Sequence, residues 1–535
     1  MDQLDALSAY PSDVAVSAAS VAEAVRRADV SRSGEPGAGA SGTEPSGTAA
    51  DGIEESGTGA SGTTHIIVVL DDDPTGTQSV ADLPVLTQWT EADFEWAFAE
   101  GAPAVYVLTN TRSLLPEDAA TRNREVVTNA LAAATKSATV LRFASRSDST
   151  LRGHYPLETD VIAETLAAVN GESVDGVVIV PAFPEAGRVT IGGIHYMRDG
   201  SDLIPIADTE FAKDATFGYS ASALAEWVEE KTNGRVTRDR VVVLDLNIIR
   251  AGADAIADAL ADVTESTPIV SDAVTEDDLR LLSLGIIEAE ARGIRLLYRV
   301  GPPFVRARIG QEQRAPLTAA EIFGGASSPG GGDLPGDGGE GGGGGSGDPA
   351  LPTGGLIVVG SHVGLTSRQL DRLRTDRPDI ATLEIDVAAV IDPDRRDEHL
   401  ASVVARVADA VAHGDVIINT SRVLVRTDDP NESLDISRRV SAAVVAVVQG
   451  TLDRFRPRFV IAKGGITSSD VAAHGLGIRH ALVRGPMLPG IVSLWEPVDG
   501  PATGVPYVVF AGNVGDDASL AAVVGILSAE GVTHA

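Results

Sequence analysis

The stretch HIIVVLDDDPTGTQ, residues 65–78, joins an apolar run of strand character to three consecutive aspartates and a Pro-Thr-Gly-Thr turn. Its apolar part is continuous rather than alternating, which is typical of a strand covered on both faces, as in a parallel sheet. Three adjacent like charges repel one another unless something compensates them. We therefore predict a buried strand whose carboxyl end carries Asp71, Asp72 and Asp73 for a functional reason.

Similar short runs rich in Val and Ile recur along the chain, separated by helical patterns such as PEDAATRNREVVTNALAAAT. This alternation predicts an α/β fold of mostly parallel sheets flanked by helices. Ligands bind such sheets beyond the carboxyl ends of the strands, so the polar residues that follow each run are candidate site residues. The runs are HIIVVL, AVYVLT, TVLRFA, GVVIVP and RVVVLDL, then GLIVVGS, DVIINT, RFVIAKGG and PYVVFAGN.

The composition limits the classes of function. The chain has 42 basic and 76 acidic residues and a formal net charge of -34, which is unfavourable for binding a phosphate backbone, so we expect no nucleic acid partner. The absence of cysteine excludes disulfides, thiolate metal sites and a cysteine nucleophile. No apolar run approaches the ~18 residues of a membrane span, and the N-terminus lacks signal-peptide character. We expect no membrane association and a cytoplasmic location.

Two low-complexity segments divide the chain. Residues 31–63 are mainly Gly, Ser, Thr, Ala and Glu, and residues 324–355 contain GGASSPGGGDLPGDGGEGGGGGSGDP. Because they have few apolar side chains to bury, both are predicted to be flexible. The predicted organisation is a disordered extension over residues 1–63 (with a short helix near residues 16–28 outside the core), a domain over residues 64–323, a Gly-rich linker over residues 324–355 and a domain over residues 356–535.

In the first domain, charged side chains follow three of the predicted strands, in DDDPTGT, SRSDSTLRGHY and PAFPEAGR. Arginine binds a carboxylate through paired hydrogen bonds, and aspartate accepts hydrogen bonds from hydroxyl groups. This edge therefore suits a small polyhydroxylated acid, although each motif alone is more typical of a turn or a helix cap. The residues concerned are Asp72, Asp73, Arg146, Asp148, Ser149, Thr150, Arg152 and Arg188.

In the second domain, glycine turns follow three predicted strands. Glycine lets backbone N–H groups approach an anion, and a helix that begins there adds partial positive charge. The three turns predict a cradle for nucleotide phosphates, although glycine is common at strand ends. Neither the Walker pattern nor a strand-linked G-x-G-x-x-G is present, which disfavours the P-loop and dinucleotide folds. The turns contain Gly360, Ser361 and Gly364, then Gly464, Gly465 and Thr467, then Gly512, Asn513 and Gly515.

Nine segments, in order from about residue 65 to residue 530, resemble the four-carbon acid sugar kinase family. The resemblance implies a sugar-acid-binding domain over residues 64–323, a nucleotide-binding domain over residues 356–535, and transfer of phosphate from ATP, with Mg²⁺, to a hydroxyl of a tetronate-like acid. It does not cover the first sixty residues or the Gly-rich segment. The segments are DDDPTGT, SRSDSTLRG, PAFPEAGR, HYMRDG with IADTEFAKDATFGYS, LLYRVGPPFVRA, GSHVGLTSRQ, KGGITSSDVA, RGPMLPGIVSLW and FAGNVGD.

The resemblance also implies roles for individual residues. Asp73 is the expected catalytic base, which positions and deprotonates the hydroxyl. Asp470 is a rival, as a metal or water ligand, and equally fits an acidic residue in the first turn of a helix. No protein-bound metal is expected. The implied substrate contacts are Asp72, Arg146, Asp148 and Ser149, the carboxylate or phosphate contacts are Arg152 and Arg188, and the ATP contacts are Ser361, Gly464, Gly465, Ile466, Thr467 and Gly512.

Three positions depart from the family pattern that the resemblance implies. Arg146 stands where a lysine is usual, Asp71 replaces an alanine, and Pro74 replaces a large apolar residue. A planar guanidinium presents its donors differently from an ammonium group. We therefore expect a subgroup whose preferred acid differs.

Three hypotheses of different classes remain open. The first is the kinase, and the second is a non-catalytic sensor of a sugar acid and a nucleotide, which Arg146 in place of lysine slightly favours. The third is a sugar-acid oxidoreductase, which the missing dinucleotide motif weakens.

The expected partners are a sugar acid and ATP, and homo-oligomerisation is left open. If the chain is a kinase, the two domains form a cleft in which Asp73 faces Gly465.

Overall fold

The structure is a computed structural model that describes residues 2–32, 65–137, 139–324, 354–361, 363–421 and 430–528. Strands and helices alternate through most of these ranges, as predicted. The strands are β1 His65–Asp71, β2 Leu83–Leu86, β3 Ala104–Leu108, β4 Val140–Arg146, β5 Gly176–Val180, β6 Arg188–Ile191, β7 Ile194–Asp199, β8 Asp202–Pro205, β9 Val242–Leu244, β10 Thr267–Ser271, β11 Leu296–Val300, β12 Leu356–Val359, β13 Ala381–Ile385, β14 Val416–Thr420, β15 Val460–Lys463, β16 His480–Leu488, β17 Val492–Pro497 and β18 Tyr507–Phe510.

The helices differ widely in length, and short 3-10 turns lie between several elements. One such turn, Pro74–Ser79, directly follows the three aspartates. The helices are α1 Gln3–Leu7, α2 Ala18–Arg32, α3 Glu91–Ala99, α4 Pro116–Ser137, α5 Leu157–Asn170, α6 Leu224–Lys231, α7 Leu246–Ile249, α8 Ala253–Ala259, α9 Glu276–Ala291, α10 Pro302–Arg308, α11 Ala319–Phe323, α12 Gly364–Asp376, α13 Val387–Ile391, α14 Pro393–Val411, α15 Pro430–Leu452, α16 Gly465–Asp470 and α17 Ser519–Ser528.

One continuous sheet runs through both halves of the chain, in the order β13-β14-β12-β15-β18-β17-β16-β2-β3-β1-β4-β11-β5-β10-β9. Neighbouring strands of this sheet run parallel to each other, except that β16 and β17 are antiparallel to the strands beside them. Strands β6, β7 and β8 form a separate antiparallel sheet. The predicted α/β class with mostly parallel strands is confirmed, and the two expected sheets are joined into one.

Strand β1 is covered on both faces, as its continuous apolarity predicts. Ile67 and Val69 belong to one buried cluster, whereas Ile66, Val68 and Leu70 belong to another. Successive side chains of a strand point to opposite faces, so the two clusters lie on opposite sides of the sheet. Because both faces are covered, a ligand can reach this region at the loop beyond the carboxyl end of β1, where Asp73 is partly exposed.

The two halves are joined where β2 pairs with β16. Beside this junction, the buried Asp93 of the first half accepts hydrogen bonds from Arg479 and His480 of the second half. Although burial favours the neutral acid, hydrogen bonds from Arg479, Thr90 and His480 hold the pKa of Asp93 at about 2. The junction thus combines backbone pairing with an ionic contact.

The N-terminal segment differs from the prediction of a disordered extension over residues 1–63 without core contacts. Helix α2 packs on α9, with Ala18 and Val21 fully buried. A Cβ at Gly310, which follows α10, would overlap the backbone of Ala22, so helix and turn are in close contact. For the described part of this segment, the prediction that it makes no core contact was wrong, because its burial depends on a surface that lies far away in the sequence.

The remaining low-complexity predictions fall mostly on residues 33–64 and 325–353, which lie outside the described residues. The expected flexibility of these segments stays a prediction. At the far end of the Gly-rich segment, Gly355 packs so closely against Phe459 that a side chain there would overlap the ring. Within the described ranges, no helix is both long and apolar enough to cross a membrane.

The packing of α2 predicts a stability effect. Val21→Asp should lower the free energy of unfolding by about 2–4 kcal/mol, because it places an unpaired carboxylate in an apolar contact. Val14→Asp, at a position 41% exposed in the same segment, should change it by less than about 0.5 kcal/mol. Urea unfolding of both variants measures the difference. Equal losses, or no loss for Val21→Asp, would contradict the packing of α2 on the core.

Candidate active site

The carboxyl ends of β1 and β4 bring the first charged pair together. Their parallel register places Asp71 directly beside Arg146. The Arg146 guanidinium donates to the Asp71 carboxylate and to the backbone oxygen of Asp73, and both side chains are buried. A Cβ at Gly76 would overlap both charged groups. Burial raises the pKa of the Asp71 carboxyl to about 7, and the charge of Arg146 opposes that rise.

Asp72 is bound by an arginine that sequence reasoning missed. Arg112 donates through Nε to Asp72 Oδ2 at 3.0 Å and through a terminal nitrogen to Oδ1 at 2.6 Å. Its other terminal nitrogen lies 3.5 Å from Asp73 Oδ2. Arg112 follows β3, which neighbours β1 in the sheet. The string TNTRS after an apolar run was the available signal, and it is informative only once that strand order is known.

Asp73 caps the 3-10 turn that follows it. Its Oδ1 accepts hydrogen bonds from the backbone N–H of Thr75 at 2.9 Å and from the Thr75 hydroxyl at 2.6 Å. Although burial favours the neutral acid, Arg112, Arg146 and the Thr75 hydrogen bonds hold the pKa of Asp73 below its ordinary value. Asp73 is therefore ionised at neutral pH. The capping interpretation is confirmed, and the functional one stays a prediction.

The loop after β4 carries Asp148, Ser149 and Arg152. Asp148 Oδ2 accepts a hydrogen bond from Arg152 Nε at 2.7 Å. Although burial favours the neutral acid, Arg112 and Arg152 hold the pKa of Asp148 well below its ordinary range. This loop thus presents an ionised carboxylate beside a guanidinium group.

His195, on β7, fixes the position of that loop. Its Nε2 lies 2.8 Å from the carbonyl oxygen of Ser149, and its Nδ1 lies 2.9 Å from the Thr190 hydroxyl. Because a carbonyl oxygen can only accept, Nε2 donates and Nδ1 accepts. Burial lowers the pKa of His195 to about 4, so the ring is neutral.

In the second half, the glycine turns after β12, β15 and β18 meet, since these strands are neighbours in the sheet. Gly464 has φ of 127°, a conformation that favours glycine, and a Cβ there would lie 3.4 Å from the Ser361 N–H nitrogen. A Cβ at Gly512 would overlap the Ser361 hydroxyl, and the Thr467 side chain lies against Gly360 and Gly464. Ser361 and Thr467 thus fill the space between the turns.

A cleft of about 240 Å³ lies between the charged loops and the glycine turns. A Cβ at Gly465 would stand 3.0 Å from Asp73 Oδ2, so the two residues face each other as expected. Four of the predicted residues, Asp72, Ser361, Gly464 and Thr467, are not among the residues that line this cleft. The lining includes Asp73, Thr75, Arg112, Arg146, Asp148, Ser149, Arg152 and Arg188 from the first half and Gly465, Ala511, Gly512 and Asn513 from the second.

Two further predicted site residues, Ile466 and Asp470, belong to helix α16. The backbone of Ile466 lies in α16, next to Gly465. Asp470 lies at the end of the same helix, does not line the cleft, and accepts a hydrogen bond from the Ser441 hydroxyl. Within the described ranges, no group of three or more histidine or carboxylate side chains is arranged to hold a metal ion. The rival role of Asp470 as a metal or water ligand stays a prediction.

Family models match both halves of the chain. A sugar-binding N-terminal domain matches residues 67–308, and a nucleotide-binding C-terminal domain matches residues 356–520. The chain therefore belongs to the family that joins these two domains, which is the architecture of the four-carbon acid sugar kinases. The resemblance stated from the motifs is confirmed at this level.

Two named relatives match the chain at modest identity. A D-erythronate kinase of Heliobacterium modesticaldum is 26% identical over 351 residues, which span 64% of this chain and 68% of that protein. A D-threonate kinase of Salmonella typhimurium is 26% identical over 386 residues, which span 70% of this chain and 77% of that protein.

Solved structures share the fold. A protein of Salmonella typhimurium LT2 matches with a TM-score of 0.60 and 18% identity, over 85% of this chain and 98% of that one. A Haemophilus influenzae protein matches with a TM-score of 0.53 and 16% identity, over 86% of this chain and all of that one. At these identities the likeness concerns the fold alone.

The Asp71–Arg146 contact predicts strong coupling between two substitutions. Asp71→Asn or Arg146→Gln alone should lower the free energy of unfolding by about 3–5 kcal/mol, because each breaks the main ionic contact of a buried pair. The double variant should lose less than the sum of the two, by more than about 1 kcal/mol. A double-mutant cycle in urea measures this coupling.

The exposed pair Glu226–Arg238 is a matched control, with its donor and acceptor 2.8 Å apart. The same cycle on that pair should give a coupling of at most about 0.5 kcal/mol. Additive effects at Asp71 and Arg146 would show that the pair is not an interacting unit.

Proposed function

We propose that the protein is an ATP-dependent kinase that phosphorylates a hydroxyl group of a four-carbon sugar acid. The observation that carries the proposal is the position of Asp73, whose carboxylate reaches from the charged loops to Gly465 of the glycine turns. A phosphoryl acceptor and a nucleotide could therefore meet in one cleft. The relatives named D-erythronate kinase and D-threonate kinase support the same reaction class.

The charged loops can bind the sugar acid that accepts the phosphoryl group. Arg152 and Arg188 line the cleft and can bind a carboxylate, whereas Asp73 and Asp148 can accept hydrogen bonds from hydroxyl groups. The acceptor oxygen would form a bond to the γ-phosphorus as the bond between that phosphorus and the ADP oxygen breaks. Asp73 would orient the hydroxyl and take its proton. A carboxylate with a lowered pKa is adequate, because phosphoryl transfer depends mainly on alignment and charge neutralisation.

The glycine turns can bind the phosphates of the nucleotide. Gly465 and Gly512 line the cleft, and at a glycine no side chain prevents the backbone N–H groups from approaching phosphate oxygens. Asp148 is a hard oxygen donor of the kind that Mg²⁺ accepts together with phosphates and water. Bound there, Mg²⁺ would neutralise charge on the phosphates. Ser361 and Thr467 would act from behind, by holding the turns together.

The test pairs turnover with nucleotide affinity. Wild-type protein should consume ATP in the presence of D-erythronate, D-threonate or one of their stereoisomers. Asp73→Asn should lower turnover by roughly 10²–10⁴, the range for a lost general base, while the Kd for ATP stays within about twofold because the glycine turns are unchanged. Coupled-assay kinetics and calorimetry give the two quantities.

Asp82→Asn is the matched control. Asp82 lies shortly after the same turn, is exposed, and has φ of 54°, which asparagine tolerates. It should retain normal turnover. Near-normal turnover of Asp73→Asn would remove Asp73 from the chemistry. Binding of acid and ATP without turnover by the wild-type protein would instead indicate a sensor.

A further inference from the structure

Two arginines that line the cleft share one aromatic ring. The Arg152 guanidinium carbon lies 5.2 Å from the centroid of the Phe211 ring, and that of Arg188 lies 5.9 Å from it. Both distances are within the range of cation–π contacts. Phe211 itself is not among the residues that line the cleft. One ring therefore supports two guanidinium groups from outside the binding space.

The two arginines differ in how their charges are compensated. Arg152 is hydrogen-bonded to Asp148 at 2.7 Å and lies 3.8 Å from Asp214. Within the described ranges, no carboxylate lies within 4.0 Å of the Arg188 guanidinium, its Nε has no hydrogen-bond partner, and one terminal nitrogen donates to the backbone oxygen of Ala186. Arg188 thus brings a positive charge into the cleft without an anion paired to it.

The ring is held by its own loop. Phe211 lies in a 3-10 turn, Glu210–Lys213, whose Ala212 carbonyl accepts from the backbone N–H of Tyr219. The Tyr219 hydroxyl in turn donates to the backbone oxygen of Thr150, in the loop that carries Arg152. The position of the ring is therefore tied to the loop whose guanidinium it contacts.

Building on the proposed function, we infer that Phe211 is a positioning residue that sets Arg152 and Arg188 at the spacing at which they bind the carboxylate of the acceptor. A flat ring lets both planar guanidinium groups lie against it while their N–H edges stay available. The site therefore selects acceptors with a carboxylate and rejects the corresponding uncharged polyols.

The charge balance favours a carboxylate over a phosphate group at this position. Asp148 is hydrogen-bonded to Arg152 and lines the same cleft. Because Asp148 compensates the charge of Arg152, Arg188 carries the uncompensated charge of the two arginines. A monoanionic carboxylate neutralises this charge, whereas a dianionic phosphate would leave the group with a net negative charge. The glycine turns of the second half remain for the nucleotide phosphates.

The test compares three variants. Phe211→Leu removes the aromatic ring, Phe211→Tyr keeps one, and Phe217→Leu is the matched control from the same loop. The Phe217 ring packs edge-on against His154, at 4.9 Å between centroids, rather than against the two arginines. Each protein is titrated with D-erythronate, D-threonate and uncharged erythritol in a calorimeter, and KM and kcat are measured with ATP.

Phe211→Leu should raise the Kd and KM for the acid roughly 5- to 20-fold, the ratio expected when a desolvated cation–π contact is lost. Its kcat and its KM for ATP should stay within about twofold, because the reacting groups are unchanged. Phe211→Tyr should restore acid binding to within about threefold, and Phe217→Leu should bind the acid normally. No variant should bind erythritol measurably.

The other possible outcomes distinguish the positioning role of Phe211 from the kinase proposal. Acid binding by Phe211→Leu that equals wild type would overturn the positioning role and leave the kinase proposal standing. If Phe211→Leu weakens acid binding but the wild-type protein never turns over ATP with any of the acids, the positioning role is supported and the kinase proposal is rejected. If the wild-type protein binds none of the acids, or binds erythritol equally well, the carboxylate site is rejected.

Discussion

The candidate site depends on one contact, the insertion of the turn Pro74–Ser79 between the two halves of the chain. The Thr77 hydroxyl lies 2.8 Å from that of Ser493 and accepts a hydrogen bond from the Trp495 indole at 2.9 Å. All three side chains are buried, so these hydrogen bonds are costly to break. Because Asp73 immediately precedes this turn, its carboxylate is held against the glycine turns of the other half.

The topology of the sheet shows why such a turn is needed. At the junction of β2 and β16 the strands of the two halves run in opposite directions, so in a flat sheet their carboxyl ends would lie at opposite edges. Six steps separate β1 from β15, and a twist of ~20–25° per step accumulates to roughly 120–150°. We attribute the meeting of the two sets of carboxyl ends to this twist, with the turn after β1 spanning the remaining gap.

Local patterns in the sequence were enough to predict the strand ends and the glycine turns, because a continuous apolar run followed by polar or glycine residues marks a buried strand that ends at a ligand edge. Arg112 could not be found in this way, since its importance depends on β3 lying beside β1. The contact of Asp71 with Arg146 depends on the register of β1 and β4, and the burial of Val21 on the packing of α2. All three are tertiary facts that no local pattern encodes.

The three aspartates at the carboxyl end of β1 are compatible with burial because each has a partner. Asp71 is paired with Arg146, Asp72 with Arg112, and Asp73 with the hydrogen bonds of Thr75 and the more distant charge of Arg112. Such pairing offsets part of the repulsion between neighbouring carboxylates, but it also stabilises the ionised form of Asp73 and so weakens it as a base. A site built in this way is suited to reactions in which alignment matters more than proton affinity, and phosphoryl transfer is one of these. The arginines that compensate the charges of the buried aspartates thus also favour phosphoryl transfer over reactions that need a strong base.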